Sequence, residues 1–496
     1  MANVTVLHGD AVITVSAETG EYLSEVLRRE IPGFAMPCGG NHTCGKCLVQ
    51  ANGAVSPPED EECKLLAARE APAHMRLACF CRVEGDVTVT LSSSGAAKIL
   101  SWYRTPPVTA TETGTGFAVD IGTTTVAVQL IDRANGRVLA ERVAENAQRG
   151  FGADVISRIE ACGREGVQTL SDRIADQLEE MAAACLQESG VPAVVESVVT
   201  GNTTMLHLYE GIDPAPLSVA PFTVPSYFGG ISRRTLAGAP VYLPRCVGAY
   251  VGADITCAVM AADLPEQGTM LLADIGTNGE IVLARDGRLL CCSTAAGPAF
   301  EGAELRYGMP AAAGAIRAVR LENGAVEYET VHGAPAVGIC GSGVLDALAV
   351  MLKTEDMDET GHLEQDWEVG GSGIAVTQRD VRQIQLAKAA ICGGILTLME
   401  AEDLSDEDVG RFVVAGGFGN AMDHGSAAAV GLYPAALQEK AEFLGNGALG
   451  GAVMLLRSRP LREQAEKLTK AAEELSLSAS EEFMDYYIDC MTFGAF

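Results

Sequence analysis

Phe117-Ala-Val-Asp-Ile-Gly-Thr-Thr-Thr125 and Met270-Leu-Leu-Ala-Asp-Ile-Gly-Thr-Asn-Gly-Glu280 are two copies of one pattern. Each is an apolar run closed by Asp-Ile-Gly-Thr. Each continues into a second apolar run, Val126-Ala-Val-Gln-Leu130 or Ile281-Val-Leu283, and then into a tight turn at Ala134-Asn-Gly136 or Arg285-Asp-Gly287. Apolar runs bounded by turn residues read as strands. A unit that recurs within one chain signals a duplicated architecture. A third strand–glycine unit is Arg411-Phe-Val-Val-Ala-Gly-Gly-Phe-Gly419, and helical patterns run over Asp154 to Gln187 and Gln378 to Met399. Residues 116–496 therefore read as an α/β body of two similar halves, about 116–265 and about 266–496, facing a cleft.

The repeated turn has the chemistry of a phosphate site. Gly122 and Gly276 let backbone approach phosphate oxygens closely, because they carry no Cβ. Thr123, Thr124, Thr125 and Thr277 offer hydroxyl donors, with Asn278 beside them. Asp120 and Asp274 end apolar strands, where a carboxylate can hold Mg²⁺ through its waters or orient an attacking water. Two such turns facing each other would clamp a triphosphate, and Gly416-Gly417-Phe418-Gly419 would take the adenosine. A single Asp-x-Gly-Thr is a weak signal, but two in matched strand–turn–strand contexts are strong. A Gly-x-x-x-x-Gly-Lys-Ser/Thr loop is absent, which excludes a P-loop. The plain alternative is a duplicated structural hairpin whose aspartates only cap backbone amides.

Ahead of the body lies a cysteine-rich module. Of fifteen cysteines, six fall between Cys38 and Cys81. Pro37-Cys38-Gly-Gly-Asn-His-Thr-Cys44-Gly-Lys-Cys47 spaces three thiols in a tight loop, and Met75-Arg-Leu-Ala-Cys79 brings a fourth. This is close to the plant-type [2Fe–2S] spacing. Gly39, Gly40 and Gly45 let the loop wrap a cluster and aim amides at its sulfurs. Cys81 competes with Cys79 for the fourth place, since side chains two apart on a strand share a face. Zinc on the same thiolates is the alternative, although a zinc ribbon usually shows two Cys-x-x-Cys knuckles. A Rieske centre is excluded, because no Cys-x-His pair is present. Around the loop, two strands flanking His8-Gly9-Asp10, a helix at Glu21 to Arg29 and a return strand at Asp86 to Leu91 outline an α+β β-grasp over residues 1–91. A Ser/Gly/Thr/Pro-rich stretch over residues 92–115 reads as a linker, with Trp102-Tyr103 as a docking point.

Charge narrows the partners. Lys plus Arg total 35 against 65 Asp plus Glu, a net charge of −30. That field repels phosphate backbones, so a nucleic-acid binder is disfavoured. Runs of eighteen apolar residues are missing, which argues against a membrane span. The start MANVTVLHGD lacks a basic n-region and an apolar h-region, so a cytoplasmic protein with reduced thiols is expected.

Together these pieces resemble the reductive activators of corrinoid proteins, which join a plant-type [2Fe–2S] domain to an ATPase of the actin, sugar-kinase and Hsp70 (ASKHA) superfamily, a duplicated ribonuclease H-like fold. The resemblance rests on the Cys38/Cys44/Cys47/Cys79 set, the two Asp-Ile-Gly-Thr turns, Gly201-Asn-Thr-Thr204 and Gly248-Ala-Tyr-Val-Gly-Ala-Asp254. It continues through Gly297-Pro-Ala-Phe-Glu-Gly-Ala-Glu304, Ile339-Cys-Gly-Ser-Gly343 and Ala415-Gly-Gly-Phe-Gly419. It covers nearly the whole chain and departs only in lacking any extra domain between cluster and ATPase. It implies ATP-dependent transfer of one electron from the cluster to a partner's cob(II)alamin, restoring cob(I)alamin for methyl transfer. The Co(II)/Co(I) couple lies below a plant-type cluster at roughly −400 mV, so the step needs nucleotide energy. A ferredoxin or flavodoxin donor and a homodimer are further implications.

The implied roles are cluster ligation by Cys38, Cys44, Cys47 and Cys79. Asp120 and Asp274 would manage Mg²⁺ and water, with Asp274 positioning the nucleophile. Gly122, Thr123, Thr124, Gly276, Thr277 and Asn278 would bind phosphates, and Gly416, Gly417 and Gly419 would border adenosine. Glu280, Glu301 and Glu304 read equally as catalytic acids, caps or surface ion pairs. Lys388, in an otherwise apolar helix, is open to an intersubunit or nucleotide role or to a snorkelling surface position. The acids of 473–489 alternate with Leu475, Phe483, Met484, Tyr486 and Tyr487, so that tail should pack on the body. Three other functions remain open. One is an activator of a radical dehydratase, for which Cys340 would matter. Another is a small-molecule kinase with a ferredoxin-like docking module, and the last is a module that uses ATP only as a structural ligand.

Overall fold

Each copy of the repeat builds the centre of a six-stranded sheet. The computed structural model describes all residues except 9–10, 32–33, 35, 37, 69–70, 72–73, 92–100, 266, 303, 418–421 and 495–496. The Gly9-Asp10 turn, Pro37, Phe418 and Gly419 thus lie outside the described residues.

In the first half the strand Thr115–Ile121 pairs antiparallel with Thr125–Asp132 on one side and parallel with Glu196–Gly201 on the other. In the second half Thr269–Ile275 pairs antiparallel with Gly279–Arg285 and parallel with Arg411–Ala415. The pairing pattern is the same in both. The carboxyl ends of the two central strands carry Asp120 and Asp274. The six residues of Thr125–Asp132 between its two ends are all buried, as expected for strands covered on both faces.

Two helices interlock between the sheets. Ala253–Ala261 and Gly447–Arg457 cross so closely that a Cβ on Gly451 would lie 2.0 Å from the Cys257 carbonyl oxygen. Glycine is required there by steric contact, not by backbone conformation. Gly447–Arg457 packs Leu449, Leu455 and Leu456 against Ala118 and Val198 of the first sheet. The chain therefore returns late to finish the face of its first half. Burying each of these leucines contributes about 1.5–3 kcal/mol.

The first ninety residues form a five-stranded sheet, with Ala2–His8 pairing antiparallel with Ala11–Ala17 and parallel with Val83–Leu91. The helix Leu23–Glu30 covers it through Leu23, Val26 and Leu27. This is the β-grasp arrangement. The described end of the linker is docked. The Tyr103 hydroxyl donates to Gln129 at 2.9 Å, and the Trp102 carbonyl accepts from the Asn446 amide at 2.8 Å.

Several expectations need amending. The helical pattern over 154–187 is two helices, Val155–Glu165 and Val167–Ser189, broken at Gly166 with φ 84°. Lys388 does not snorkel: it is fully buried, donates to the Thr492 carbonyl and lies 4.8 Å from the Phe493 ring centroid. It pins the chain's end, and the helix Glu481–Asp489 packs on the same helix, with Tyr487 against Gly393. That helix, Gln378–Ala401, is long and apolar enough to cross a bilayer despite its scattered charges, but 78% of its apolar window is buried inside the second half.

Candidate nucleotide and iron–sulfur sites

The two turns face each other. The Gly122 amide donates to the Thr125 carbonyl at 2.9 Å, and the Gly276 amide donates to the Asn278 carbonyl at 3.0 Å, so both copies fold into tight bends, the second one residue shorter than the first. One side chain spans them. Glu301 accepts from the Thr277 hydroxyl at 2.8 Å and from the Thr124 hydroxyl at 3.2 Å. Its carboxylate sits where an anionic ligand of both turns would sit.

Four carboxyl groups line the floor of this cleft. Asp274 and Glu280 are directly opposite in the antiparallel ladder, so their side chains share a face. Asp120 comes from the other half, and Asp254 from the first turn of Ala253–Ala261. Burial pushes Asp120 up to about 6, opposed by a hydrogen bond from Asn446. Burial and then the Asp120 charge push Asp274 up to about 7. Burial and the charges of Asp120 and Asp274 push Asp254 up to about 8, and Glu280 is raised by burial and by Asp254 and Asp274. Gathered like charges in a cleft of low dielectric hold protons that a cation could replace. Among the described residues no three such groups converge tightly enough to hold a metal ion alone. A cation here would complete its shell with water and phosphate, as Mg²⁺ does.

Amides and a guanidinium hold the turns from behind. Asn146 Nδ2 donates to the Gly122 carbonyl at 2.8 Å, and Asn202 Nδ2 donates to Thr123 Oγ1 at 3.0 Å. Arg158 donates to the Thr123 carbonyl. Asn446 Nδ2 donates to Asp120 at 3.0 Å across the cleft. The side chain of Asn278 bonds Glu280. Gly416, with φ 99°, closes the third turn so near Asp274 that a Cβ would lie 2.9 Å from Oδ1. Gly417 follows it, half-buried.

The structure thus brings together Asp120, Gly122, Thr123, Thr124, Asp274, Gly276, Thr277, Asn278 and Gly416. Sequence reading missed Asn146, Arg158 and Asn446, and assigned no role to Asp254 or Asn202. One signal was available. Gly201-Asn202 and Gly445-Asn446 are both Gly-Asn steps that end a strand and cap a helix, with Asn202 accepting from Met205 and Asn446 from Leu449. The repeat extends to these caps.

At the other end, the cysteine loop is shaped by Gly39, Gly40 and Gly45, with φ of 58°, 84° and 61°. Its thiols come in two pairs. Cys47 and Cys79 lie 3.4 Å apart, joined also by the Ala78 amide on the Cys47 carbonyl at 2.9 Å. Cys38 is paired with Cys44, whose hydrogen bond draws the Cys38 thiol down to about 4. A hydrogen bond from Cys79 likewise lowers the Cys47 thiol from its ordinary value. Cys81 is fully buried beside Arg76 and Glu62, and burial pushes its thiol up to about 12. His42 stacks on Phe80, with ring centroids 4.3 Å apart. Cys63 is exposed. Cys340 is buried, with Sγ 3.4 Å from the Ile316 carbonyl of its own half.

The cysteine domain touches both halves of the body. Arg28 pairs with Glu165 at 3.0 Å and stacks on Phe151, and the Met36 amide donates to the Arg149 carbonyl at 3.1 Å. Lys46, between Cys44 and Cys47, pairs with Glu304 of the second half at 2.9 Å. Glu304 lies three residues beyond Glu301.

Fold and site define a duplicated ATPase of the ASKHA architecture behind a ferredoxin-like domain. Comparison with known proteins agrees. Residues 8–84 match the 2Fe-2S iron–sulfur cluster binding domain, 115–267 the RACo middle region, and 268–495 the C-terminal domain of RACo, the ASKHA domain. The chain is 31% identical over 425 residues to the corrinoid activation enzyme RamQ of Eubacterium limosum, covering 76% of this chain and 70% of that protein. It is 26% identical over 418 residues to the [Co(II) methylated amine-specific corrinoid protein] reductase of Methanosarcina barkeri, covering 75% and 76%. It superimposes on the solved reductive activator for corrinoid, iron–sulfur protein with a TM-score of 0.69 at 28% identity, over 99% of this chain and 98% of that one. The chain belongs to the family of corrinoid reductive activators.

Proposed function

We propose that this protein uses ATP to drive one electron from an N-terminal [2Fe–2S] cluster onto the cob(II)alamin of a corrinoid protein, regenerating cob(I)alamin. Paired thiols support the cluster assignment. A two-iron cluster would take two thiolates per iron, and the pairing of Cys38 with Cys44 and of Cys47 with Cys79 supports that reading. A single tetrahedral zinc would want all four sulfurs around one point. The cluster supplies one-electron chemistry at low potential. Asp120, Asp254, Asp274 and Glu280 would hold Mg²⁺ through water, and the Gly122–Thr124 and Gly276–Asn278 turns would take the phosphates.

The observation that carries the coupling is the contact of the cysteine domain with both halves, Arg28 of its helix with Glu165 on one and Lys46 of its cysteine loop with Glu304 on the other. A nucleotide that draws the halves together must alter at least one of these contacts. A ligand shifts an equilibrium only through differential interaction with its two states, and these pairs provide that difference. The electron would come from a ferredoxin or flavodoxin, and a homodimer in a reducing cytoplasm suits fifteen unbridged thiols. Incubation of the anaerobic protein with reductant and a cob(II)alamin protein should yield the cob(I)alamin absorption only when ATP is added. Formation of cob(I)alamin at the same rate without ATP would refute the proposal.

Glu301 competes with phosphate in this scheme, since it occupies both turns. Glu301→Gln removes the like charge and keeps the size. It should tighten ATP binding several-fold, on the order of 1 kcal/mol for one partly solvated charge. Titration calorimetry decides, and weaker binding would make Glu301 a ligand of the nucleotide complex instead.

A further inference from the structure

Arg158 is the largest side chain among those fully buried, and it has no carboxylate in contact among the described residues. Its guanidinium is met only by neutral acceptors. Nε donates to the Gly152 carbonyl at 3.0 Å. The terminal nitrogens meet the Thr123 carbonyl, Gln148 Oε1 at 3.5 Å and Met205 Sδ at 3.1 Å. The charged groups nearest to it are committed elsewhere. Asp154 caps its own helix by accepting from the Ser157 amide at 2.8 Å, and Arg149 is paired with Glu145 at 2.7 Å. A buried cation without an anion is unfavourable unless something compensates it.

The Thr123 carbonyl places this charge directly beneath the first phosphate turn. Gly122 and Thr124 flank the residue it holds, and Glu301, which accepts from the Thr124 hydroxyl, arrives from the far half. We propose that Arg158 is a positioning residue for the nucleotide: its charge, set behind the Gly122–Thr124 turn, is the built-in counter-charge of the bound polyphosphate, and its grip on the Thr123 carbonyl keeps the turn's amides facing that ligand. The inference rests on the reading that nucleotide occupies these turns.

The same helix, Val155–Glu165, ends at the cysteine domain. Glu165 pairs with Arg28, and a Cβ on Gly39 would meet the Arg164 guanidinium at 2.8 Å. Arg158 therefore ties the phosphate turn to an element that leans on the cluster loop. A charge role and a purely structural role are separable, because electrostatic attraction grows with the number of phosphate charges.

The test uses the full chain with its cluster reconstituted, and competition against a fluorescent ATP analogue in the presence of Mg²⁺. Arg158→Gln keeps a donor for the Thr123 carbonyl but removes the charge. It should lower the preference for ATP over adenosine about tenfold, with an intermediate loss for ADP. Arg158→Lys keeps the charge and should hold that preference within threefold of the parent protein. An unchanged ATP-to-adenosine ratio in Arg158→Gln overturns the inference. So does an equal loss of preference in both variants, which marks a structural role. If Arg158→Gln fails to fold, loss of the preference in Arg158→Lys overturns the inference and its retention supports it. Failure of the parent protein to bind ATP at all would instead overturn the functional reading on which this one rests.

Discussion

Serine in place of Cys79 is expected to strip the cluster, while serine in place of Cys81 is expected to leave it. The two positions are two apart, and the expected shared strand face is absent, because the strand ends at Leu77 and the Phe80 and Cys81 amides turn back onto the Leu77 carbonyl at 2.9 and 3.2 Å. Contact separates them. Cys79 Sγ lies 3.4 Å from Cys47 Sγ, in the second of two thiol pairs. Cys81 is sealed in the domain core, where Arg76 and Glu62 are the charged groups that act on it most strongly. A serine hydroxyl is a hard, weakly acidic donor and a poor substitute for a soft thiolate. Loss of a ligand should exceed the ~10–100-fold penalty of altering an outer-shell partner. Reconstituted Cys79→Ser should therefore show neither the visible absorption nor the reduced-state EPR signal, and should form no cob(I)alamin with ATP. Bound iron, colour and activity in Cys81→Ser should match the parent. The reverse pattern, with Cys81→Ser colourless and Cys79→Ser intact, would move the fourth ligand and redraw the loop.

The duplicated fold was legible because its signal is local. An apolar strand ending in Asp-Ile-Gly-Thr needs only a few residues, and the second copy confirms the first. The two aspartates that end the central strands and the paired Gly-Thr turns were legible for the same reason. What sequence could not show is what arrives from elsewhere in the chain. Asn446 reaches Asp120 only because the helix it caps returns to cover the first sheet. Arg158 reads as one more polar residue in a helix, and nothing local says that its guanidinium turns inward beneath Thr123. Lys388 was ambiguous because an isolated lysine in an apolar helix fits either a wet or a dry face. The partner that settles it, the Thr492 carbonyl, lies at the far end of the chain. Glu301 and Glu304 looked alike in sequence, yet one spans the two Gly-Thr turns and the other pairs with Lys46 of the cysteine loop.

Asp274→Asn should nearly abolish ATP hydrolysis and at the same time make the nucleotide-free protein harder to unfold above neutral pH. Asp274 faces Glu280 across the ladder and lies within the field of Asp120 and Asp254. We propose Asp274 as the group that positions the attacking water, and on that reading its loss should lower turnover about 10²–10⁴-fold, the range for a misplaced general base. Stability moves the other way. The carboxyl is raised from 3.8 to about 7 in the folded protein. The folded state therefore keeps a proton that the unfolded state has lost, and stability falls as pH climbs from about 4 to about 7, with the full penalty above that. The shift corresponds to ~4 kcal/mol at most, and discounting for a cleft open to solvent leaves about 2 kcal/mol. The amide carries no charge at any of these pH values, so Asp274→Asn should melt a few degrees above the parent at pH 8 and level with it near pH 4, on the order expected from such an energy. Added Mg²⁺ and ATP should narrow the gap at pH 8, because the cation compensates the charges that Asn removes. A variant that hydrolyses ATP at the parental rate would take Asp274 out of the chemistry. One that melts below the parent at pH 8 would show that the four carboxyl groups do not repel one another in the resting cleft, and the electrostatic case for a cation between the two turns would go with it.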